Sequence, residues 1–424
     1  MPHEGYFTAP LARVDPAVAA SLHGELRRQQ DQIELIASEN LVSKATLEAM
    51  GSVIVNKTVE GYPGKRYYGG AEFADAVERL AIERAMELFG AAHANVQPHS
   101  GSQANLAVFA AFLDPSDPIL AMDLSMGGHL SHGSPVNISG RWMDAHHYGV
   151  DPHSGRIDLD AVAARARQVR PKLIICGGSA YPRSIDFSGF RAVADEVGAV
   201  LVADIAHVAG LVATGLHPDP IPHAHVVTTT TYKNLRGVRG GLILTGDPDL
   251  ARPIDSAVFP GVQGSVILNA VAAKAVCLGE ALRPEFADWA AAVLTNARAM
   301  AEVLVERGFA VVTGGTDTPI VLVDLTDAGL TGSAAQRVLE DAGLTVNKNT
   351  VPGETRPPWV ASGIRLGSSA GTTRGFGEEE FRTIAELIAD VLTAAAAREA
   401  TAVVDVTRRA VTDLCRRFPI YPAP

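Results

Sequence analysis

Short apolar runs, each closed off by polar or glycine-rich residues, recur through the middle of the chain. Leu173-Ile174-Ile175-Cys176, Val200-Leu201-Val202-Ala203, Val226-Val227 and Leu242-Ile243-Leu244 are too short and too uniformly apolar for amphipathic helices. They predict strands buried on both faces. Helix-like segments fall between them, one of them around residues 190–197. This alternation predicts an α/β fold, a mainly parallel sheet covered by helices, with ligands held at the carboxyl ends of the strands.

After Pro284 the pattern changes. Val293, Ala297, Met300 and Leu304 share one helix face, and Gly308 is a natural stop. Ile320-Val321-Leu322-Val323 reads as a strand, and Phe381, Ile384, Leu387, Ile388 and Val391 mark a late amphipathic helix. The alanine-rich run 393–400 is expected to be helical. These shifts divide the chain into an N-terminal arm with helices (1–50), a large domain (51–285) and a smaller C-terminal α/β domain (286–424).

A length of 424 residues accommodates a large and a small domain, each with its own core. A formal charge of -11, with no basic block, argues against nucleic acid as a partner. The widely spaced Cys176, Cys277 and Cys415 suggest neither a disulfide framework nor a zinc site, so no metal is expected. The N-terminus lacks the pattern of a signal peptide, and no apolar run approaches the roughly 20 residues that span a bilayer. The expectation is a soluble, cytoplasmic protein.

Two polar stretches follow predicted strands: A-D-I-A-H, with Asp204, and T-T-T-T-Y-K-N-L-R-G, with Lys233. A carboxylate and a lysine at neighbouring strand ends suit pyridoxal phosphate. The lysine can condense with its aldehyde, and the aspartate can keep its pyridine nitrogen protonated. Ser100-Gly101-Ser102 opens a helical segment and offers backbone N–H groups and hydroxyls to a phosphate, with Thr230 as a further donor. Glycine-rich segments at 60–70, 127–133 and 259–265 gather Glu60, Tyr67, Tyr68 and His129 on irregular backbone. His129 could stack on an aromatic cofactor. Arg365, in S-G-I-R-L-G, has the planar fork that holds a carboxylate.

Taken together, from I-E-L-I-A-S-E-N at 33–40 to S-G-I-R-L-G at 362–367, the chain resembles the serine hydroxymethyltransferases over nearly its whole length. The resemblance implies the aspartate-aminotransferase-like fold, fold type I, with a mainly parallel sheet of the seven-stranded type in the large domain. It also implies pyridoxal 5'-phosphate as cofactor, tetrahydrofolate as co-substrate and a homodimer with shared active sites, a tetramer remaining possible. By matching motif, Lys233 would bond the cofactor, Asp204 hold its pyridinium, His129 stack on it and His207 contact its O3′ oxygen. Ser100, Gly101, Ser102 and, from a second subunit, Gly264 would bind phosphate. Ser38 and Arg365 would take the substrate carboxylate, with Ser179 and Tyr68 beside the cofactor and amino acid. Glu60 would transfer a proton near the folate. Tyr67, Leu124, Gly128, Leu130, Phe259 and Asn349 match folate-contacting positions.

The chain departs from the family pattern beside the reacting carbon. Thr58 stands in N-K-T-V-E-G-Y where the family has tyrosine, and Tyr232 precedes the lysine where the family has histidine. Asn234, Val238, Ser265-Val266 and T-D-T-P-I at 316–320 also differ. Space gained at Thr58, partly refilled by Tyr232, would admit a substituent on the α-carbon. The sequence therefore leads to an acceptor larger than glycine, most simply alanine, giving 2-methylserine. The alternatives are ordinary serine/glycine interconversion, a folate-independent threonine-type aldolase or transaldolase, and a catalytically silent homologue.

Overall fold

A computed structural model describes residues 5–422 of the chain. The large domain is built on a seven-stranded sheet: β1 (His93–Asn95), β2 (Pro118–Met122), β3 (Asp144–Tyr148), β4 (Leu173–Cys176), β5 (Val200–Asp204), β6 (Val226–Thr230) and β7 (Gly241–Thr245). Their order across the sheet is β1-β7-β6-β5-β4-β2-β3, and only β7 runs against its neighbours. Most residues of β4 to β7 are buried, because helices cover both faces of the sheet. The predicted parallel strands are thus present, with Leu242-Ile243-Leu244 forming the one antiparallel member.

Ser100 caps helix α1 (Gly101–Phe112), its Oγ accepting the Gln103 N–H at 3.2 Å. The smaller sheet, β8 (Ala310–Val311), β9 (Ile320–Asp324), β10 (Asn347–Asn349) and β11 (Gly363–Gly367), is antiparallel, in the order β8-β9-β11-β10. The late amphipathic helix spans Glu378–Ala396 and ends before a second begins at Ala400. The alanine-rich run is therefore broken, with Arg398 in the left-handed region at φ 64°.

Two elements cross the expected borders. Helix α2 (Pro284–Glu306) places Phe286, Trp289, Ala290 and Val293 in the large-domain core and Ala297, Met300, Ala301 and Leu304 in the small-domain core. Ile33–Glu34, near the N-terminus, pairs with Leu344–Thr345, and Ile33 and Leu35 belong to the small-domain core. None of the helices among the described residues is long and apolar enough to cross a membrane.

A buried ionic network holds the glycine-rich segment after Glu60. Arg66 donates to Asp75 at 2.8 Å, to Glu78, and to the Gly61 carbonyl at 2.6 Å. Gln97 donates both to the other oxygen of Glu78, at 2.7 Å, and to Gly61 O, at 2.9 Å. Removing one partner of such a pair strands a buried charge. Glu78→Ala is expected to lower unfolding free energy by about 3–5 kcal/mol in chemical denaturation. A loss below about 1 kcal/mol would show that Arg66 reaches solvent instead.

Candidate active site

The strand ends deliver the polar groups. Asp204 closes β5, opposite Thr228 of β6, and Lys233 lies in the turn that follows β6. Asp204 Oδ2 accepts from His132 Nε2 at 2.8 Å and from Asn105 Nδ2 at 3.0 Å, while Oδ1 accepts the Ala206 N–H at 3.1 Å. Burial alone would raise the pKa of this carboxyl, but the hydrogen bonds and charge on its far side outweigh burial. The group is held well below the usual carboxylate range.

Lys233 is 5% exposed, and among the described residues no hydrogen bond or ion pair holds its Nζ. It sits over the Tyr232 ring, with Nζ 5.5 Å from the centroid. Burial lowers the amine to about 8; Arg365 and Arg239 act in the same direction, and Asp204 opposes them. A buried, unpaired amine with an accessible lone pair is a nucleophile.

Histidines complete the floor. Burial, with His132, Lys233 and Arg365 nearby, lowers His129 to about 4, so its ring is neutral. His207 is buried and is likewise pushed well below its ordinary value. Arg365 Nε donates to Asn347 Oδ1 at 3.1 Å and Nη1 to the Ser179 carbonyl at 2.5 Å. Its Nη2 makes no hydrogen bond among the described residues, so one edge of the guanidinium is available to an anion.

Lys233, His129, His132, Ser179, His207 and Tyr232 line both of two adjoining cavities. The smaller, about 60 Å³, also reaches Ser100, Gly101, Ser102, Asp204 and Thr230. The larger, about 700 Å³, extends past Ser38 and Arg365 to Leu124, Gly128, Leu130 and Asn349. The residues expected around a cofactor and most of a folate wall are thus brought together.

Their chemistry fits pyridoxal phosphate. Thr230 Oγ1, His132 Nδ1 and His207 Nδ1 are buried without hydrogen-bond partners. Buried polar atoms are rarely left so unless something else satisfies them. A Cβ at Gly101 would stand 2.7 Å from Thr230 Cγ2, so only glycine leaves room at this helix start. Ser100, Ser102 and Thr230 could hold the phosphate, Asp204 the ring nitrogen, and Lys233 the aldehyde carbon.

Thr58, Glu60, Tyr67, Tyr68, Phe259 and Gly264 line neither cavity. Of these, Glu60 lies beside Tyr67 and Gly264, and Tyr67 beside Phe259, in a separate cluster on the same chain. Ser265 Oγ donates to Glu60 Oε1 at 3.4 Å, and the Tyr67 and Phe259 rings meet edge to face at 5.7 Å. Tyr67 remains 74% exposed and Tyr68 46%, leaving two successive aromatic residues open to another surface.

Sequence reasoning passed over Asn105, Ser131, His132 and Thr228, which are buried and bonded around Asp204. Asn105 lies three residues beyond Ser102 on the same helical segment, and His132 lies in the 127–133 segment. Their contacts come from strands and turns far away in sequence, which no local pattern reveals.

Comparisons with known proteins agree with the geometry. A family model described as Serine hydroxymethyltransferase matches residues 11–388. A serine hydroxymethyltransferase of Synechococcus sp. (strain JA-3-3Ab) is 58% identical over 426 residues, covering 98% of each chain. Those of Rhodospirillum centenum and Paramagnetospirillum magneticum are 58% and 57% identical, covering 99% of this chain and 98% and 99% of their own.

The amine at about 8 sets a pH signature. Below that value the protonated form dominates. Condensation of the cofactor-free protein with pyridoxal phosphate should therefore rise about tenfold from pH 7 to pH 9 and then level off. An unperturbed lysine would keep rising about tenfold per unit to beyond pH 10. Stopped-flow absorbance distinguishes the two, with Lys233→Ala as the blank.

Proposed function

The chain belongs to the serine hydroxymethyltransferase family, and on that premise we propose that it interconverts serine and glycine. It is a transferase that uses pyridoxal 5'-phosphate as cofactor and tetrahydrofolate as one-carbon co-substrate. The observation that carries the serine/glycine reading is Lys233, a buried amine without a hydrogen-bond partner among the described residues, beside an ionised Asp204, in a cleft that also opens onto Arg365. Relatives at 57–58% identity over nearly full length all carry the serine hydroxymethyltransferase name, which favours glycine over alanine as acceptor.

Bound pyridoxal phosphate supplies an electron-accepting ring that labilises bonds at the amino acid's α-carbon. The chain's own groups do the rest. Arg365 offers the free edge of its guanidinium, with Ser38, to the substrate carboxylate. Asp204, an acceptor only, favours a protonated partner opposite it. His129 presents a neutral ring, and His207 a second imidazole. Leu124, Gly128, Leu130 and Asn349 form a wall for the folate. Glu60 holds and moves the proton, while Tyr67, Tyr68, Phe259 and Gly264 come from a second copy of the chain. The exposure of the Tyr67 and Tyr68 rings supports that last assignment, since a second copy of the chain would cover them.

A second reading, alanine to 2-methylserine, rests on Tyr232. Its ring lines both cavities and stacks beneath the Arg239 guanidinium, 4.5 Å from the centroid, replacing the histidine of the family pattern. Proton NMR in heavy water separates the readings by following α-hydrogen exchange in glycine, D-alanine and L-alanine with tetrahydrofolate present. Glycine is expected to exchange at least about tenfold faster than either alanine, which corresponds to about 1.4 kcal/mol in barrier. The reverse order overturns the glycine reading in favour of the second one. Tyr232→His should then slow alanine exchange more than glycine exchange.

Sharing of the site is tested by mixing inactive variants. Equal amounts of Lys233→Ala and Glu60→Gln subunits, unfolded and refolded together, should recover about a quarter of wild-type activity, since half of the dimers are mixed and each has one intact site. No recovery would place Glu60 in its own chain's site.

A further inference from the structure

Asn105, on α1, is 3% exposed, and every polar atom of its side chain is bonded. Its Oδ1 accepts the Thr228 hydroxyl at 2.7 Å. Its Nδ2 donates to Asp204 Oδ2 at 3.0 Å and to Ser131 Oγ at 2.9 Å. Ser131 Oγ lies 2.8 Å from His129 Nδ1, which also accepts the Ser131 backbone N–H at 3.2 Å.

The chemistry at each end fixes the direction of every proton. An ionised carboxylate only accepts, so the amide nitrogen must face Asp204 and the amide oxygen Thr228. The second N–H makes Ser131 Oγ an acceptor from Asn105, and the hydroxyl proton then points to His129 Nδ1. Nδ1, taking two donors, carries no proton, so that of the neutral ring sits on Nε2.

We propose that Asn105 is a positioning residue whose single amide both holds the Asp204 carboxylate in place and, through Ser131, sets the Nε2–H tautomer of His129. The inference rests on the assignment of Asp204 and His129 to the cofactor made above, and goes beyond it by naming what governs them. A carboxylate with one donor fewer holds a protonated ring nitrogen in a less defined position. A histidine free to place its proton on Nδ1 loses its fixed orientation. The groups that face His129 and would bear on its titration are His132, Asp204, His207, Lys233 and Arg365, and those that bear on Asp204 include His132, His129, His207 and Lys233.

The test uses Asn105→Leu, close in volume but unable to hydrogen-bond, together with Ser131→Ala and Thr228→Val. Two quantities are read. Nitrogen-15 NMR of histidine-labelled protein, with the His129 signal identified by His129→Gln, gives tautomer and pKa with and without cofactor. Equilibrium dialysis gives the dissociation constant of pyridoxal phosphate.

Wild type should show Nε2–H and no titration of His129 down to about pH 5, since it lies at about 4. Asn105→Leu should shift His129 toward Nδ1–H, raise its pKa by at least about one unit and weaken cofactor binding on the order of tenfold. Ser131→Ala should change the His129 signal and leave cofactor affinity within about threefold, because the bond to Asp204 survives.

An Asn105→Leu protein with wild-type His129 signals and wild-type cofactor affinity overturns the proposal. If that variant does not fold, an unchanged His129 signal in Ser131→Ala overturns it. Failure of the underlying assignment looks different: Asp204→Ala and Lys233→Ala would leave cofactor binding unchanged, whatever His129 does.

Discussion

The chemistry of this molecule depends on the parallel register of β5 and β6, which sets Val202 against Val226 and Asp204 against Thr228. Parallel neighbours end on the same side of a sheet, so the Asp204 carboxylate and the turn bearing Lys233 emerge together. The same register puts the Thr228 hydroxyl where Asn105 can take it while reaching Asp204. The antiparallel β7 adds a constraint of its own. Gly241 pairs with Thr230, and a Cβ there would stand 2.4 Å from the Ser100 carbonyl, so the helix-capping turn closes against the strand only over glycine. A slip of one residue between β5 and β6 would turn each of these side chains to the opposite face.

Two buried charges of opposite sign receive opposite treatment. Asp204 is given donors from a histidine, an amide and the backbone, and stays ionised despite its enclosure. Among the described residues no acceptor holds the Lys233 Nζ, and burial eases its proton away. Desolvation acts on both; the hydrogen-bond partners and the neighbouring charges differ. An ion pair holding Nζ would have quenched the amine as a nucleophile. Lys274 is put to a different use within the same protein: burial lowers it to about 7, but its Nζ donates to the carbonyls of Val96, Pro98 and Gly241 and is tied up in the structure.

The strands were legible because burial on both faces leaves uninterrupted apolar runs, and Asp204 and Lys233 because they follow such runs directly. Ser100 to Ser102 were legible as a helix start, and Arg365 through its motif. Asn105, Ser131 and Thr228 were not. An asparagine inside a helix and a threonine inside a strand carry no local signal, and their meaning arises when segments about a hundred residues apart in sequence meet. The alanine-rich run at 393–400 misled for a related reason: alanine favours helix everywhere, so propensity could not locate the break at Arg398. The alanine-acceptor expectation drew on Thr58 and Tyr232 alone, whereas agreement with relatives extends over the whole chain.

Helix α2 belongs to two cores at once, its first turns seated among large-domain side chains and its last among those of the small domain. The composition border at 285/286 falls within its first turn. Severing the chain there would leave the first fragment without the Phe286, Trp289 and Val293 that complete its interior. The other fragment would keep those residues as bare apolar surface and would lose Ile33 and Leu35 from its own core. The two domains are therefore distinct in architecture yet inseparable as folding units. Engineering that treats them as interchangeable modules would have to move this helix, and the strand at Ile33–Glu34, with both.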